Sequence, residues 1–468
     1  METQTAPVRK AGILINRNFA WLWIGQAISL PGDWLYETAL VLWIATVIAR
    51  GQPWAPLAVS GVLAAQSIPM LLIRPLAGVY VDRWDKRQTM LRMDAIRAVL
   101  IALLTLATGA TSLPFVSGGR LPVAWQLGAV YGVVFLAGIC AQFFNPARLA
   151  LTGDVVEEAR RGRALGLDYV TENIAMIAGP PLGALIFFSV GIQWTLLLNA
   201  LSFAVSFLCV LQIHPPQAAS SLAPGERGHL LRELGAGARF LAGNRVLVTL
   251  MLTICIVMLG AGAINTLNVF FVSQNLHAPA SLYSLIVAAV GIGAIAGAAS
   301  AAFYVDRLGP ARTYWMSIIG ISILIFIYAR LASLVPALIA AVPLGFLQGG
   351  LNVAEGPLLL RVTPRELVGR VNSIFMPATM LTSLVSTALA GALASTVLRN
   401  FHATLLGLHF GPIDTIFTAS GVLAFLAGIY TLLNLRIPSA AGAASEELPA
   451  QDDISQQAPA QANTSVPG

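Results

Sequence analysis

The residues of this chain whose types and spacing could do chemistry are carboxylates set inside long apolar runs. Asp33 and Glu37 lie four apart, as do Asp168 and Glu172, and on a helix each pair shares one face. Asp94 and Arg97 are three apart, and Glu355 stands alone. A carboxylate at mid-bilayer costs roughly 2.5–3.5 kcal/mol on insertion scales, so such groups face water-filled cavities, pair, or exchange protons. Glu37 and Glu172 lie well inside their runs and lead the candidates for taking up and releasing a proton; Asp33, Asp168, Glu355, Asp94 and Arg97 complete the set. Asp33 follows Pro31-Gly32, a place for a kink, and so also suits a hinge. Asp94 and Arg97, with Arg74 nearby in sequence, read as mutual neutralisation. Asp168 is expected to pair with Arg163, and Glu355 with Arg361.

The elements that hold these groups follow from composition. The chain has 468 residues, 57% hydrophobic and 10% charged, against about a quarter charged in soluble domains. The apolar runs are long enough to cross a bilayer as helices, and they lack the alternation of barrel strands. The expectation is an all-α polytopic membrane protein with twelve transmembrane helices in two pseudo-symmetric six-helix bundles. The spans are read near 18–48, 56–81, 88–110, 123–146, 164–190, 193–213, 246–274, 281–304, 312–330, 334–360, 370–398 and 411–435. The first run continues past signal-peptide length with no cleavage site, so it is read as a span. Residues 1–213 form one bundle, 214–245 a central cytoplasmic loop, 246–437 the second bundle and 438–468 a tail of disordered composition. Within the loop, "HLLRELGAGARFL" suits an amphipathic helix on the membrane surface. With a cytoplasmic N-terminus, 21 of the 27 Lys and Arg fall on the inner side, as the positive-inside rule requires. The C-terminus is then cytoplasmic too. The net charge of +6 therefore reads as topology and not as nucleic-acid binding. Cys140, Cys209 and Cys255 lie singly in apolar runs, and the five histidines form no metal-ligand spacing, so no metal or cofactor is expected.

The two halves echo each other. "YVDR" occurs at Tyr80–Arg83 and again at Tyr304–Arg307, each after the second span of its half. Asn145-x-Ala147 precedes Gly162-Arg163 at the spacing with which Asn352-x-Ala354 precedes Gly369-Arg370, and Gly138 and Gly345 both lie seven residues before the Asn. Such repeats mean duplicated bundles with a binding site between them near the midplane. Trp34, Tyr36, Gln66, Asn173, Asn265, Asn268, Gln348 and Asn352 are the candidate cavity lining.

"GVYVDRWDKR" (Gly78, Asp82, Arg83, Lys86, Arg87) resembles the G-x-x-x-D-R-x-x-[RK]-[RK] loop motif of the major facilitator superfamily. "NFAWLWIGQAISLPGDWLYETAL", "NPAR" and "GRALGLDYVTENIAMIAGPPLGALI" resemble its branch of macrolide and multidrug effluxers and siderophore exporters. "AGPPLGA" (Gly179, Pro180, Gly183) is similar to the G-P-x-x-G-G element of antiporters, with Ala184 in place of the last glycine. Asp82 falls at the C-terminal end of span 2, where a carboxylate is disfavoured. The resemblance implies partners for it in Arg148 and the start of the helix near Arg370, with Gly78 permitting close approach of a neighbouring helix. Together these would latch the cytoplasmic side shut. The second copy departs from the pattern, with Ala302 in place of the glycine and Arg312 as its one nearby basic residue.

What the resemblance implies is a secondary active exporter of amphipathic small molecules, working by alternating access and proton antiport, as a monomer in the bacterial inner membrane. Its partners are the lipid bilayer, a small-molecule substrate and protons, with no nucleic acid. A dedicated exporter of a siderophore or other metabolite, a lysolipid flippase, and a non-transporting sensor or scaffold remain alternatives. No nucleophile or metal constellation points to an enzyme, and no GxxxxGK[ST] loop points to direct ATP drive.

Overall fold

A computed structural model describes residues 15–81, 83–107, 122–214, 230–364, 367–405 and 408–435. Asp82, the expected tail and most of the Pro/Ser-rich start of the central loop lie outside the described residues. The fold is helical: α1 (Arg17–Trp43) runs into a π-helical turn (Ile44–Ile48), followed by α2 (Ala55–Leu72), α3 (Arg74–Val81), α4 (Lys86–Ala107), α5 (Val123–Val155), α6 (Glu158–Val190) and α7 (Ile192–Leu211). After α8 (Leu230–Gly243), the second half comprises α9 (Arg245–Gln274), α10 (Tyr283–Leu308), α11 (Pro310–Tyr328), α12 (Leu334–Val362), α13 (Val368–Ser395) and α14 (Pro412–Asn434).

Among the described residues ten helices are long and apolar enough to cross a membrane. Of the twelve expected spans, the two outside that set are those of α1 and α4, which carry Asp33 and Glu37, and Arg92, Asp94 and Arg97. Both still pack lengthwise within the first bundle, α1 on α6 and α7, α4 on α5 and α7. Span 2 is not continuous as expected. It breaks at Ile73 between α2 and α3, next to Pro75, which has no N–H to give the preceding turn. A departure from pure helix is a small antiparallel hairpin, β1 (Ala403–Leu405) with β2 (Leu408–Phe410). The Arg330 guanidinium lies 4.3 Å from the centre of the Phe410 ring and donates to Asp414 O and Thr418 Oγ1. The amphipathic helix of the central loop forms as α8, but it packs on the start of α13: a Cβ at Gly237 would come within 2.9 Å of Arg370 O.

The repeat is built into the packing. Gly138 lets α5 cross α2 at Pro69, and Gly345 lets α12 cross α10 at Val290. A further echo is that Asn16 caps α1 and Asn244 caps α9. Asn16 Nδ2 reaches Val155 O and Asn244 Nδ2 reaches Val362 O, each at the end of its half's fourth span. A side-chain acceptor at the N-cap satisfies donors the helix itself cannot.

Among the described residues the two halves meet on the side remote from the loop motif. At the ends remote from the loop motif, α2 packs on α13: Leu57 N donates to Ser395 Oγ at 3.1 Å, and a Cβ at Gly391 would meet Ser60 Oγ and Pro56 O. There α6 also meets α10 at Ile177 and Gly291. The apolar core on that side is one cluster drawn from both halves, running from Leu40 and Val59 to Phe271 and Phe417. On the motif side the core is two separate clusters, Phe19–Met90–Leu151 in the first half and Leu247–Tyr314–Leu358 in the second. The molecule is thus closed on the side away from the motif and open on the motif side.

Candidate functional site

The acidic stretch of α1 is tightly positioned by its neighbours. Around it α6 crosses with backbone against backbone. A Cβ at Gly179 would fall 2.4 Å from Trp34 Cβ, and one at Gly183 2.5 Å from Leu35 O. The antiporter-like element, with Pro180 buried between its glycines, therefore presses directly on the turn carrying Asp33 and Glu37. From the other flank α7 closes on Gly32, whose Cβ would meet Ser202 Oγ and Asn199 Oδ1. Small residues allow such approaches between membrane helices. Asp33, Trp34 and Glu37 are half-buried and Tyr36 is buried. The Glu37 carboxylate accepts a hydrogen bond from Gln66 Nε2 of α2, which ties two of the expected residues together. Asn199 lies beside Asp33, although its Nδ2 closes no hydrogen bond of good geometry.

Below this turn, Asp94 and Arg97 form a buried ion pair at 2.5 Å. Asp94 also accepts from Ser206 Oγ at 2.7 Å. The guanidinium is held between two rings, 4.4 Å from the centre of Phe144 and 4.2 Å from that of Phe203. Arg74, grouped with this pair by sequence, is exposed at the start of α3 and does not join it.

Asp168 does not pair with Arg163. It binds Arg148 of α5 at 3.0 Å, because Arg163 is five residues away on the same helix and points off its face. Arg148 was the expected partner of Asp82, which lies outside the described residues. Glu172 is exposed, one turn further along the face of Asp168. Asn173 Nδ2 is taken up by Tyr169 O. Glu355 makes no ion pair with Arg361, which is six residues on and exposed; it lies half-buried near the Tyr314 hydroxyl. Asn268 is not cavity lining. It is 8% exposed and accepts from Tyr328 Oη at 2.7 Å within the apolar core. Gln348 is half-buried, and Asn265 and Asn352 are exposed.

In the loop motif, Lys86 pairs with Asp154 of α5 at 2.6 Å, and Arg87 donates to Val210 O and Leu211 O at the end of α7. Trp84 stacks on Phe143 at 5.7 Å. These contacts stay within the first bundle. Arg83 is exposed, and a Cβ at Gly78 would meet nothing within 4 Å. Gly78 therefore mediates no close approach in this conformation, contrary to expectation. On the opposite side a depression of about 1180 Å³ spans both halves, walled by Trp43, Phe187, Phe188 and Phe270, with Arg50 and Arg399 as its charged lining among the described residues. It is separate from the carboxylates.

Sequence reasoning missed Asp154, Gln26 and the polar face of α7. The last had a readable signal, since Thr195, Asn199, Ser202 and Ser206 recur every three or four residues inside an apolar run.

Known proteins agree with this architecture. Over 433 residues the chain is 23% identical to the uncharacterised MFS-type transporter YkuC of Bacillus subtilis, covering 90% of this chain and 93% of that one. Macrolide efflux protein A of Streptococcus pyogenes is 25% identical over 50% of this chain and 53% of its own. The enterobactin exporter EntS of Citrobacter koseri is 23% identical over 71% and 77%. Among solved structures, a bacterial homologue of the iron transporter ferroportin in an inward-facing state superposes with a TM-score of 0.67 at 16% identity, covering 89% of this chain and 98% of that one. The nucleoside transporter NupG gives 0.66 at 13% identity, over 90% and 99%. The family described as transmembrane secretion effector matches residues 6–407. The chain belongs to that family, within the major facilitator superfamily of transporters.

Proposed function

We propose that this transporter exports amphipathic, preferentially cationic small molecules by proton antiport, with Asp33 and Glu37 as the groups that exchange proton for substrate. The observation that carries this reading is the α1 turn. Two carboxylates four residues apart are half-buried there, without a cationic partner among the ion pairs of the described residues, and clamped by α6 and α7. A carboxylate kept in that setting binds a proton or a cation at comparable cost, which is the competition an antiporter needs. The relatives named as macrolide, bacilysin and enterobactin exporters support export as the direction. The positive-inside distribution supports a cytoplasmic motif side; on this reading the conformation described is inward-open, in an inner-membrane protein with both termini inside. Alternating access then exchanges the contacts at Ser60–Gly391 and Ile177–Gly291 for closure at the loop motif. The protein acts as a monomer.

Efflux of macrolides and lipophilic cations from cells, with and without a proton uncoupler, tests this on native chain, Asp33→Asn and Glu37→Gln. Uncoupler-sensitive efflux lost in either variant is the expected result. Efflux that ignores the uncoupler, or survives in both variants, refutes the proton role. Absence of efflux for every panel member refutes the substrate class and moves the reading to a dedicated metabolite.

A further inference from the structure

Five of the buried polar atoms without a hydrogen-bond partner among the described residues gather in one place, while Arg148 Nε, Tyr314 Oη and Thr363 Oγ1 lie elsewhere. Gln26 Nε2, Tyr36 Oη, Arg97 Nε, Thr195 Oγ1 and Asn199 Nδ2 all lie on α1, α4 and α7 without a hydrogen-bond partner among the described residues. Gln26 is 4% exposed, Arg97 5%, and Thr195 and Asn199 0%. They flank a single seam. Its α7 side is Thr195, Asn199, Ser202 and Ser206, one face of the helix. Its α1 side is Gln26, Ser29, Gly32 and Asp33, held close because Gly25 and Gly32 admit Ser206 and Ser202. Asp33 stands at one end beside Asn199, and Asp94, bound by Ser206, at the other.

Hydroxyl residues alone are ordinary glue between membrane helices; here Ser202 donates to Asn199 O in the preceding turn and Ser206 to Asp94. They do not account for three unpaired N–H donors. Leaving such buried donors unpaired is costly, and buried groups of this kind are characteristically satisfied by internal water. An anion is a poor alternative, since Asp33 and Asp94 are both close by. The charged groups facing Asp33 are Glu37 on its own helix and Asp94 and Arg97 on α4. At the crossing α6 offers glycine backbone, and α7 only neutral side chains.

We propose that the α1–α4–α7 seam is a hydrated chamber through which a proton passes between Asp33 and the Asp94–Arg97 pair. The proton leaves the Asp33 carboxyl for water, and the chain of water delivers one to the Asp94 carboxylate. Arg97, released from a neutralised Asp94, becomes the counter-ion of the ionised Asp33. The charge of the chamber is unchanged. The chamber stands on the orphaned donors; its use in transport rests on the antiport reading.

Radiolytic footprinting in nanodiscs with ¹⁸O-labelled water tests the chamber without any substrate. Phe144 and Phe203 are each 2% exposed and flank Arg97, whereas Phe271 and Phe417 are 0% exposed in the apolar core. Phe144 and Phe203 are expected to take up label about fivefold faster than the core pair, as residues beside internal water do. Equal rates overturn the chamber. Its transport role is tested in proteoliposomes with ethidium, comparing gradient-driven uptake with counterflow. Asn199→Leu, and the milder Ser206→Ala, are expected to lower gradient-driven uptake about tenfold more than counterflow. An equal effect on both modes overturns proton passage. A native protein that counterflows ethidium but ignores the gradient refutes antiport while leaving the footprinting result to decide the chamber.

Discussion

Removing one partner of the Asp94–Arg97 pair exposes how strongly the first bundle depends on it. The Asp94 side chain is fully buried and that of Arg97 is 7% exposed, so neither is open to bulk solvent. Asp94→Asn leaves a buried guanidinium with the Asp33 carboxylate of α1 as its remaining countercharge, and breaking a buried pair costs about 3–5 kcal/mol. The rings of Phe144 and Phe203 still cover the cation and recover on the order of 1 kcal/mol, so the expected loss is about 3 kcal/mol. Arg97→Gln leaves the carboxylate with the Ser206 hydroxyl alone, and a similar loss is expected. The double variant Asp94→Asn/Arg97→Gln removes both charges and keeps two polar groups able to bond each other. Its cost is expected to be below that of either single change, giving a coupling of at least about 2 kcal/mol. Equilibrium unfolding in mixed micelles with increasing sodium dodecyl sulfate measures all three. Single-variant losses that add, with coupling under about 0.5 kcal/mol, would falsify the account of this pair as mutually dependent buried charges.

Other outcomes follow from the packing. Gly183→Ala puts a methyl 2.5 Å from Leu35 O, where contact needs about an ångström more; the expected loss is about 1–3 kcal/mol, read as a lower melting temperature, and an unshifted melt would refute the close crossing. Gly391→Leu wedges α13 off Ser60 and Pro56 and is expected to depopulate the form closed on that side by about tenfold or more. Electron–electron resonance between labels at Val47 and Val397, 57% and 75% exposed, in a cysteine-free background would show a longer distance, and an unchanged distribution counts against this contact as the gate. Lys86→Ala should cost under about 1 kcal/mol in unfolding, since its pair with Asp154 is partly solvated; a loss several times larger would show the contact to be structural. Gln66→Leu strips the carboxylate of its donor and should alter the pH profile of efflux as Glu37 substitutions do; an unaltered profile would separate Gln66 from the mechanism.

The helical bundles were legible because apolar length and internal repetition are properties of the chain itself. Asp33 and Glu37, Gln66, and Gly179 with Gly183 were legible for a related reason: a buried carboxylate and a small-residue pair at helical spacing each need a neighbour. Which neighbour was not always legible. Asp168 was assigned to Arg163 by nearness in sequence, yet α6 begins at Glu158 and runs back along α5, which brings Asp168 level with Arg148. Pairing between antiparallel helices depends on where each one starts, and a periodic apolar pattern does not mark that point. Asn268 failed differently. An amide in a span serves a cavity or a core hydrogen bond equally well, and the Tyr328 hydroxyl that decides between them lies sixty residues away. The seam on α7 was passed over because serine and threonine read as neutral in an apolar run.

The loop motif shows that a strong sequence signal need not coincide with a contact in a given conformation. Two of its basic residues are occupied within the first bundle, Lys86 by Asp154 and Arg87 by carbonyls of α7. Meanwhile Gly78 faces open space, Arg148 is engaged by Asp168, and α8 lies on the start of α13. For the motif to meet the second bundle, Gly78 must gain a neighbour and α13 must become accessible beside α8. Each of these requires the motif side to close. The arrangement predicts an electrostatic exchange during alternating access, with Arg148 on Asp168 while the motif side is open and available to the motif as it shuts. That couples the gate to a carboxylate one helical turn from Glu172, so Arg148→Lys, which keeps the charge but loses the planar fork, should slow closure more than it weakens substrate binding. Equal effects on the two, measured as transport rate and ligand affinity in the same vesicles, would separate gate from carboxylate and refute the exchange.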